Sequence, residues 1–267
     1  MPGCDSCIHG QGDRAPERAV GLSDAGRELV VALAGNPNTG KSTVFNFLTG
    51  LRQHTGNWPG KTVSRAEGTF MHAGVRFRLV DLPGTYSLLA DSIDEQVARD
   101  FILFGRPDCT IVVCDATVLE RNLALVLQII EITPRVVVCL NLMDEADRRG
   151  LSIDVARLEH ELGVPVAPTT ARHGRGLAAL MDRVRDVATG VICPRPRRST
   201  FGQRIEDAVA RLQARLLEAI PDLPCARWVA VRLLDHDERV RAALASGELA
   251  RLAANGAGRR DHGDGGP

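Results

Sequence analysis

The sequence predicts an α/β fold in which helices flank a mostly parallel sheet, followed by a small all-helical domain. Short apolar, β-branched runs at 110–114 (TIVVC) and 136–140 (VVVCL) are typical of strands buried on both faces. A segment of helical length and pattern separates these two runs, and strands that alternate with helices favour a parallel sheet. Beyond about residue 200 only helical periodicity is found, which predicts the second domain.

The composition is that of a soluble globular protein. The 267 residues suffice for one large or two smaller domains, and 44% are hydrophobic and 25% charged. Lys plus Arg and Asp plus Glu both number 33, so the charge balance argues against nucleic acid as a partner. No apolar run reaches the roughly 18–20 residues of a membrane helix, and the N-terminus lacks the apolar stretch of a signal peptide. We therefore expect a cytoplasmic chain, whose seven cysteines do not form a disulfide framework.

The elements follow one another along the chain as the alternation requires. Strands are predicted at 28–34, 75–82, 110–114, 136–140 and 164–167. Helices are predicted at 42–51, 119–131 and 176–188. The segment 53–63 (QHTGNWPGKTV) is rich in glycine and contains proline, so it is predicted to be a loop.

The chain divides into five parts. A flexible N-terminal extension is predicted at 1–26, a large α/β domain at 27–192, a linker at 193–199, a helical domain at 200–255 and a disordered tail at 256–267. The helical domain begins with an apolar stripe at three- or four-residue spacing. The basic cluster CPRPRR in the linker favours a solvated hinge over a phosphate or membrane contact.

The segment 35–42 (GNPNTGKS) fits the P-loop pattern G-x-x-x-x-G-K-[ST] directly after a predicted strand and before a helix. Backbone amides of such a loop enclose phosphates, and the helix N-terminus adds a favourable dipole. Lys41 is expected to reach the β- and γ-phosphates, and the Ser42 hydroxyl to ligate Mg²⁺. The predicted nucleotide-binding residues of this loop are Asn36, Asn38, Thr39, Gly40, Lys41, Ser42 and Thr43.

A second motif, DLPG at 81–84, ends the next predicted strand. The carboxylate of Asp81 can hold Mg²⁺ through water, and Gly84 can present its N–H to the γ-phosphate. A D-x-x-G pattern alone is weak evidence for a nucleotide site. Its place at a strand end after a P-loop makes that evidence strong.

A third motif, N-x-x-D at 141–144, ends the VVVCL strand and predicts a guanine site. The carboxylate of Asp144 can accept hydrogen bonds from N1–H and the 2-amino group of guanine. Adenine lacks this donor pair and would leave the carboxylate unpaired. Asn141 is expected to brace the neighbouring loops and the base edge. Thr170 and Ala171 match a degenerate last motif, whose backbone N–H would meet the guanine oxygen.

The motifs stand in the order and at the strand ends of a small GTPase domain, which the chain resembles over residues 28–190. The expected fold is therefore that of a P-loop GTPase, with Lys41, Thr62 and Gly84 as its catalytic group. Thr62 lies in the first switch, where its hydroxyl and carbonyl would meet Mg²⁺ and the γ-phosphate. Thr85 stands where Ras-type enzymes carry a glutamine that orients water, and its side chain is too short for that reach. Either intrinsic hydrolysis is therefore slow, or the backbone and a K⁺ ion position the water instead.

The segments GNPNTGKSTVFNFLTG, GNWPGKTV, DLPGTYSL and NLMD closely resemble the cytosolic part of the FeoB family of bacterial ferrous iron transporters. The helical segment extends this resemblance to about residues 28–245. It implies that the chain binds GTP and GDP with Mg²⁺ and regulates iron uptake through a membrane permease domain, at the inner face of the cell membrane. The permease would be joined in cis if the chain is truncated, or supplied in trans.

The same resemblance implies a K⁺ site beside the phosphates. Asn38 would bind the ion, and the backbone carbonyls of Gly56 and Trp58 would complete its coordination. The ion would supply the positive charge that other GTPases obtain from an arginine finger. Trp58 could instead only pin the loop to the domain, and the cation-binding loop is the favoured interpretation. The helical domain would tune GDP release and couple the switches to the pore.

Other interpretations stay open. A free-standing GTPase of ribosome or tRNA biology shares the motifs, although it would usually carry a basic RNA-binding appendage. A switch that signals by GTP or GDP occupancy, without appreciable hydrolysis, is consistent with Thr85. Cys4, Cys7 and His9 could bind zinc or iron with help from His54, His72 or a second chain, although a flexible reducing tail is favoured. The sequence leaves the oligomeric state open, a homo-oligomer included.

Overall fold

The computed structural model describes residues 27–50, 53–89 and 92–258. Its described residues form a seven-stranded sheet with the order β2-β3-β4-β1-β5-β6-β7. The strands are β1 (Leu29–Gly35), β2 (Gln53–Asn57), β3 (Ser64–His72), β4 (Val75–Asp81), β5 (Cys109–Asp115), β6 (Val136–Asn141) and β7 (Val166–Pro168). Pairing is parallel from β4 to β7, and β2 and β3 are antiparallel to their neighbours. The predicted mostly parallel sheet is confirmed.

Helices cover both faces of the sheet and form the C-terminal part of the chain. They are α1 (Lys41–Thr49), α2 (Ile93–Phe104), α3 (Leu119–Ile132), α4 (Met143–Arg148), α5 (Val155–Leu162), α6 (Leu177–Ala188), α7 (Gln203–Ala219), α8 (Ala226–Leu234), α9 (Glu238–Ala245) and α10 (Glu248–Gly258). No helix within the described ranges has both the length and the apolar character needed to cross a membrane.

The central strand β1 supplies side chains to both apolar layers because alternate residues of a strand point to opposite faces. Val31 and Leu33 belong to the layer shared with α1 and α6, whereas Ala32 and Ala34 belong to the layer shared with α2 and α3. The second layer continues without a break into residues of α7 to α10. The helical segment is therefore packed directly onto the α2–α3 side of the sheet.

Polar contacts support this packing. The amide of Ser199 donates to Glu131 Oε1 at 2.7 Å, and Arg106 Nη2 donates to the carbonyl oxygen of Asp222 at 2.6 Å. The Cys225 thiol also contacts the carbonyl oxygen of Ile132, at the end of α3. Residues 189–202, which join α6 to α7, form neither helix nor strand.

The prediction of a loop over 53–63 is wrong for its first five residues. These residues form β2, whose Gly56 pairs with Arg65 of β3. Four of the five strand residues are exposed at the sheet edge, so the alternating apolar pattern that identifies a half-buried strand is missing. The glycine and polar content therefore misled the prediction, and cross-strand hydrogen bonds with β3 supply the stabilisation.

A candidate nucleotide-binding site

A cleft of about 450 Å³ opens at the carboxyl end of β1, where ligands of open α/β sheets bind. It is lined by Asn36, Pro37, Asn38, Gly40, Lys41, Ser42, Thr43 and Gly84. The structure therefore brings the predicted P-loop and the glycine of the DLPG motif together in one cleft. The loop lies at the N-terminus of α1, so the dipole of this helix favours an anionic ligand there.

Two contacts fix the shape of the loop. Gly40 has a φ of 83°, and a Cβ at this position would lie 2.4 Å from Asn141 Nδ2, so only glycine fits. Thr39 is 2% exposed, and its hydroxyl donates to the carbonyl oxygen of Asn36 at 2.9 Å. Because its hydroxyl holds the loop together, Thr39 can offer a ligand only its backbone.

Lys41 and Asp81, predicted to bind phosphate and Mg²⁺ respectively, form an ion pair with 2.5 Å between Nζ and Oδ1. Burial raises the pKa of Asp81 above its usual value, and the Lys41 ammonium group opposes this rise. A magnesium triphosphate would separate the two groups and give each a new partner of opposite charge. Asp81 and the exposed hydroxyl-bearing Ser42 supply oxygen donors of the type that Mg²⁺ prefers.

Asn141 joins three segments of the site. Its Nδ2 donates to the carbonyl oxygen of Thr39 at 3.0 Å, while its Oδ1 accepts from the amide of Ala171 at 3.0 Å and from Thr169 Oγ1 at 3.2 Å. These contacts are consistent with the predicted role of Asn141 as a brace between loops. Thr169 was not singled out in the sequence, since no local motif marks a buried threonine that supports another side chain.

Asp144 lies in the first turn of α4, after Leu142, which adopts a left-handed backbone conformation with a φ of 62°. Its side chain is 29% exposed, and Arg148 Nη2 lies 3.7 Å from its Oδ2. The amides of Thr170 and Ala171 donate to Arg175 O and Asn141 Oδ1 respectively. Either amide would have to exchange its present acceptor to meet a guanine oxygen, so that role stays a prediction.

Trp58 is buried against α2 rather than placed over the cleft. It is 9% exposed, and its ring meets Phe101 edge to face with the centroids 5.4 Å apart. The guanidinium carbon of Arg65 lies 4.9 Å from the centroid of the indole. The carbonyl oxygen of Trp58 accepts from the Lys61 amide at 3.0 Å, and Lys61 Nζ donates to Gln96 Oε1 of α2 at 3.0 Å. These contacts fit the role of an anchor for the segment.

Three predicted ligands are not brought to the cleft in this conformation. Gly56 is part of β2, the carbonyl of Trp58 is used in a turn, and Thr62 is exposed outside the cleft lining. Of the predicted K⁺ ligands, only Asn38 lines the cleft. The described residues therefore do not form the K⁺ site together, and Mg²⁺ would find Ser42 and Asp81 but not Thr62.

Thr85 follows Gly84 but does not face the cleft with its hydroxyl. It is 4% exposed, and its Oγ1 donates to the carbonyl oxygen of Ser87 at 2.6 Å. Its amide donates to the carbonyl oxygen of Gly35 at 3.3 Å, which ties the DLPG segment to the P-loop. A side chain engaged in this way cannot orient water, in agreement with the expectation from its length.

The proposed metal site of the N-terminus cannot be located, because Cys4, Cys7 and His9 lie outside the described residues. His72 pairs with Asp182 at 2.8 Å, and His54 is exposed on β2. Over the part of the chain that the structure describes, no three His, Cys, Asp or Glu side chains are grouped to hold a metal ion.

Comparison with protein families gives two matches that together span most of the described chain. Residues 29–184 match the family described as "Ferrous iron transport protein B", and residues 201–258 match the "FeoB cytosolic helical domain". The boundary between the two matches falls in the stretch without regular structure that joins α6 to α7.

Two curated relatives are similar in sequence to this chain. The Fe(2+) transport protein A/Fe(2+) transporter FeoB fusion protein of Porphyromonas gingivalis is 39% identical over 230 residues, which are 84% of this chain and 27% of that protein. The Fe(2+) transporter FeoB of Salmonella typhimurium is 49% identical over 158 residues, which are 58% of this chain and 20% of that protein. The chain thus matches about a quarter or less of the length of either relative.

Solved structures of the cytosolic domain of T. maritima FeoB have the same fold. A GDP form has a TM-score of 0.75 at 35% identity and covers 85% of this chain and 86% of that one. A GMPPNP form has a TM-score of 0.73 at 36% identity, with 84% of this chain and 86% of that one covered. Because the first family match alone spans more than half of the residues, the chain belongs to the FeoB family of ferrous iron transport proteins.

Proposed function

We propose that this chain is the GTP-binding, slowly hydrolysing regulatory part of a ferrous iron transporter. It gates or drives Fe²⁺ uptake through a membrane permease domain, located in the same polypeptide or in a partner chain, and works at the cytoplasmic face of the membrane. The observation that carries the proposal is the cleft in which the P-loop, Gly84 and the Lys41–Asp81 pair meet. The GDP and GMPPNP forms of the T. maritima relative support it.

The nucleotide would lie along the carboxyl edge of the sheet. Backbone amides of the loop from Asn36 to Thr43 enclose the phosphates. The Lys41 side chain leaves Asp81, and its ammonium group pairs with the β- and γ-phosphates instead. Asp144 accepts from N1–H and the 2-amino group of guanine, while Asn141 keeps the base loop against the P-loop. The amide of Ala171 would then donate its hydrogen bond to the guanine oxygen instead of to Asn141 Oδ1.

Hydrolysis transfers the γ-phosphoryl group to water. The water oxygen attacks the γ-phosphorus, the bond to the β–γ bridging oxygen breaks, and its electron pair stays on GDP while a water proton passes to phosphate. Lys41 and the amide of Gly84 stabilise the charge on the phosphate oxygens. Mg²⁺, held by Ser42 and Asp81, would supply further positive charge when bound. Thr62 would join this group only after its segment leaves α2.

The decisive experiment compares nucleotide binding by the wild-type chain, Lys41→Ala and Lys61→Ala. Lys41 is in the cleft, whereas Lys61 contacts Gln96 outside it, so the second variant controls for loss of a lysine. We expect Lys41→Ala to lose tight GTP binding, by roughly 100-fold or more, since an ammonium–phosphate contact disappears from a partly buried site. Lys61→Ala should bind GTP at least as tightly as the wild type, since loss of its contact with Gln96 only removes a restraint on the first switch. Retained affinity in Lys41→Ala would contradict the assigned site.

Turnover in KCl and NaCl at equal ionic strength, with Mg²⁺ present, tests the proposed K⁺ stimulation. Faster turnover in KCl would support a K⁺ ion that is bound by Asn38 and by the backbone carbonyls of Gly56 and Trp58. Equal rates would remove K⁺ from the mechanism.

A second candidate function is a switch that signals by nucleotide occupancy and hardly hydrolyses GTP. The engaged hydroxyl of Thr85 favours it, because no side chain at this position orients water. The turnover number separates the two functions, and a wild-type chain that binds GTP without multiple turnovers would establish the switch.

A further inference from the structure

Gln128 of α3 holds the part of the chain that follows the DLPG motif. Its Oε1 accepts from the amide of Leu88 at 2.6 Å and from Ser87 Oγ at 3.3 Å. Both donors belong to the segment 85–89, which forms neither helix nor strand. Backbone of this kind has no ladder of hydrogen bonds to fix it, so a side chain that accepts from it helps to set its position.

A continuous series of hydrogen bonds connects Gln128 to the start of the P-loop. The amide of Ser87 donates to Thr85 Oγ1 at 3.2 Å, and that hydroxyl donates to the carbonyl oxygen of Ser87 at 2.6 Å. The amide of Thr85 in turn donates to the carbonyl oxygen of Gly35 at 3.3 Å. Gly84, the residue before Thr85, is therefore held between the P-loop and α3.

Gly84 is the residue through which this series reaches the cleft. It lines the cleft, and its amide donates to no acceptor among the described residues. A Cβ at Gly84 would lie 3.5 Å from atoms of Pro37, so the residue lies against the phosphate loop. Its amide is thus free for the γ-phosphate, which GTP has and GDP lacks, and a shift of about 1 Å would misalign that contact.

The helix that carries Gln128 is a rigid support for the segment 85–89. Leu125 and Ile129 of α3 are fully buried in the apolar layer, which also contains Leu88. One turn after Gln128, Glu131 Oε1 accepts from the amide of Ser199 at 2.7 Å, which ties the end of α3 to the chain before α7. A group that positions another residue needs such support from its own neighbours.

We propose that Gln128 is a positioning residue for recognition of the γ-phosphate, an inference that rests on the proposed function. It acts on Gly84 through Leu88, Ser87 and Thr85 and does not touch the nucleotide itself. Because GDP does not reach the Gly84 amide, Gln128 affects the affinity for GTP and not that for GDP. A side chain that only stabilises the fold would affect the binding of both nucleotides equally.

The experiment measures the Kd of GMPPNP and of GDP, both with Mg²⁺, for the wild-type chain, Gln128→Ala and Gln128→Glu. We expect Gln128→Ala to raise the GMPPNP Kd about 5- to 20-fold and to leave the GDP Kd within about twofold, because only GMPPNP reaches Gly84. The kcat for GTP should fall about 10-fold or more for the same reason. Gln128→Glu should stay within about threefold of the wild type, since a carboxylate also accepts both hydrogen bonds.

Gln203→Ala is the matched control, because Gln203 is also a helical glutamine with a bonded side chain, which donates to Asp207 Oδ1 at 2.8 Å in α7. It should leave both Kd values within about twofold of the wild type. Three results would overturn the inference: an unchanged GMPPNP Kd in Gln128→Ala, an equal rise in the Kd values of both nucleotides, or no recovery in Gln128→Glu. Each leaves nucleotide binding by the wild type intact, whereas a wild-type chain that binds no guanine nucleotide would overturn the proposed function as well.

Discussion

Asn141 shows how one side chain can organise a site assembled from distant parts of the sequence. Its carboxamide donates to the carbonyl oxygen of Thr39 in the P-loop, 102 residues earlier in the chain. It also accepts from the amide of Ala171, 30 residues later. Gly40 makes this possible, because any side chain there would collide with the Asn141 amide. The two residues are thus coupled, and the geometry of the phosphate loop depends on the residue that also begins the guanine motif.

The neighbouring carboxylate gives a test of base recognition. Asp144→Asn should weaken GDP binding by roughly 100-fold or more and favour xanthosine diphosphate, because the amide can donate to the 2-oxo group but cannot accept two guanine N–H donors. Competition between the two diphosphates measures the change.

Glu145→Gln is the matched control for this substitution, since Glu145 lies in the same turn and pairs with Arg148 and Arg149. It should keep the guanine preference. Unchanged GDP affinity in Asp144→Asn would mean that the base is read elsewhere.

Among the elements, α2 has contacts that decide where the first switch lies. Phe101 receives Trp58 and Gln96 receives Lys61, so the turn at 58–61 is held against the helix by one apolar and one polar contact. The turn places Trp58 inside the core and leaves Thr62 exposed. Thr62 can approach a nucleotide only if this segment leaves the helix, so α2 opposes assembly of the complete catalytic group.

Tryptophan fluorescence can follow this movement. The chain has two tryptophans, so Trp228→Phe leaves Trp58 as the only reporter. Emission should begin at the short wavelengths of a buried indole and shift to longer wavelengths when a non-hydrolysable GTP analogue is added with Mg²⁺ and K⁺. The same variant with Lys41→Ala should show no shift. Unchanged emission at saturating analogue would show that the segment stays on α2.

The phosphate and guanine motifs could be predicted from sequence because their chemistry depends on residues within four to eight positions of one another. The place of Trp58 could not, because it depends on packing against a helix far along the chain. That helix, α2, was missed although a capping signal was present, with the Ser92 hydroxyl accepting from the Glu95 amide at 3.2 Å. The six residues of α4 are too few to show a helical period.

For the molecule as a whole, the helical segment behaves as part of one packed body. Leu249 of α10 is 6% exposed and borders a small gap with Leu103 and Phe104 of α2. The helix that anchors the first switch is therefore also the helix that meets the C-terminal helices. Movement of the first switch or of the C-terminal helices would therefore act on the same twelve-residue helix, α2.

This continuity predicts a single unfolding transition. Leu249→Ala should cost about 2–4 kcal/mol, because it leaves a cavity at the junction, and unfolding should still occur in one step. Leu234→Ala is the control, since Leu234 is 39% exposed and should cost no more than about 0.5 kcal/mol. Urea unfolding in the Trp228→Phe background, followed by far-ultraviolet circular dichroism and by Trp58 emission, measures both. Loss of helicity before the change in Trp58 would contradict a single cooperative unit.

The central place of β1 in the sheet has a consequence during synthesis of the chain. Its hydrogen-bonding neighbours β4 and β5 begin at residues 75 and 109, so β1 leaves the ribosome long before both partners exist. At about 5–20 residues per second, the roughly 80 residues from the end of β1 to the end of β5 take several seconds to translate. During that interval the apolar strand LVVALAG lacks its sheet neighbours, which makes the nascent chain a client for chaperones that bind exposed hydrophobic segments.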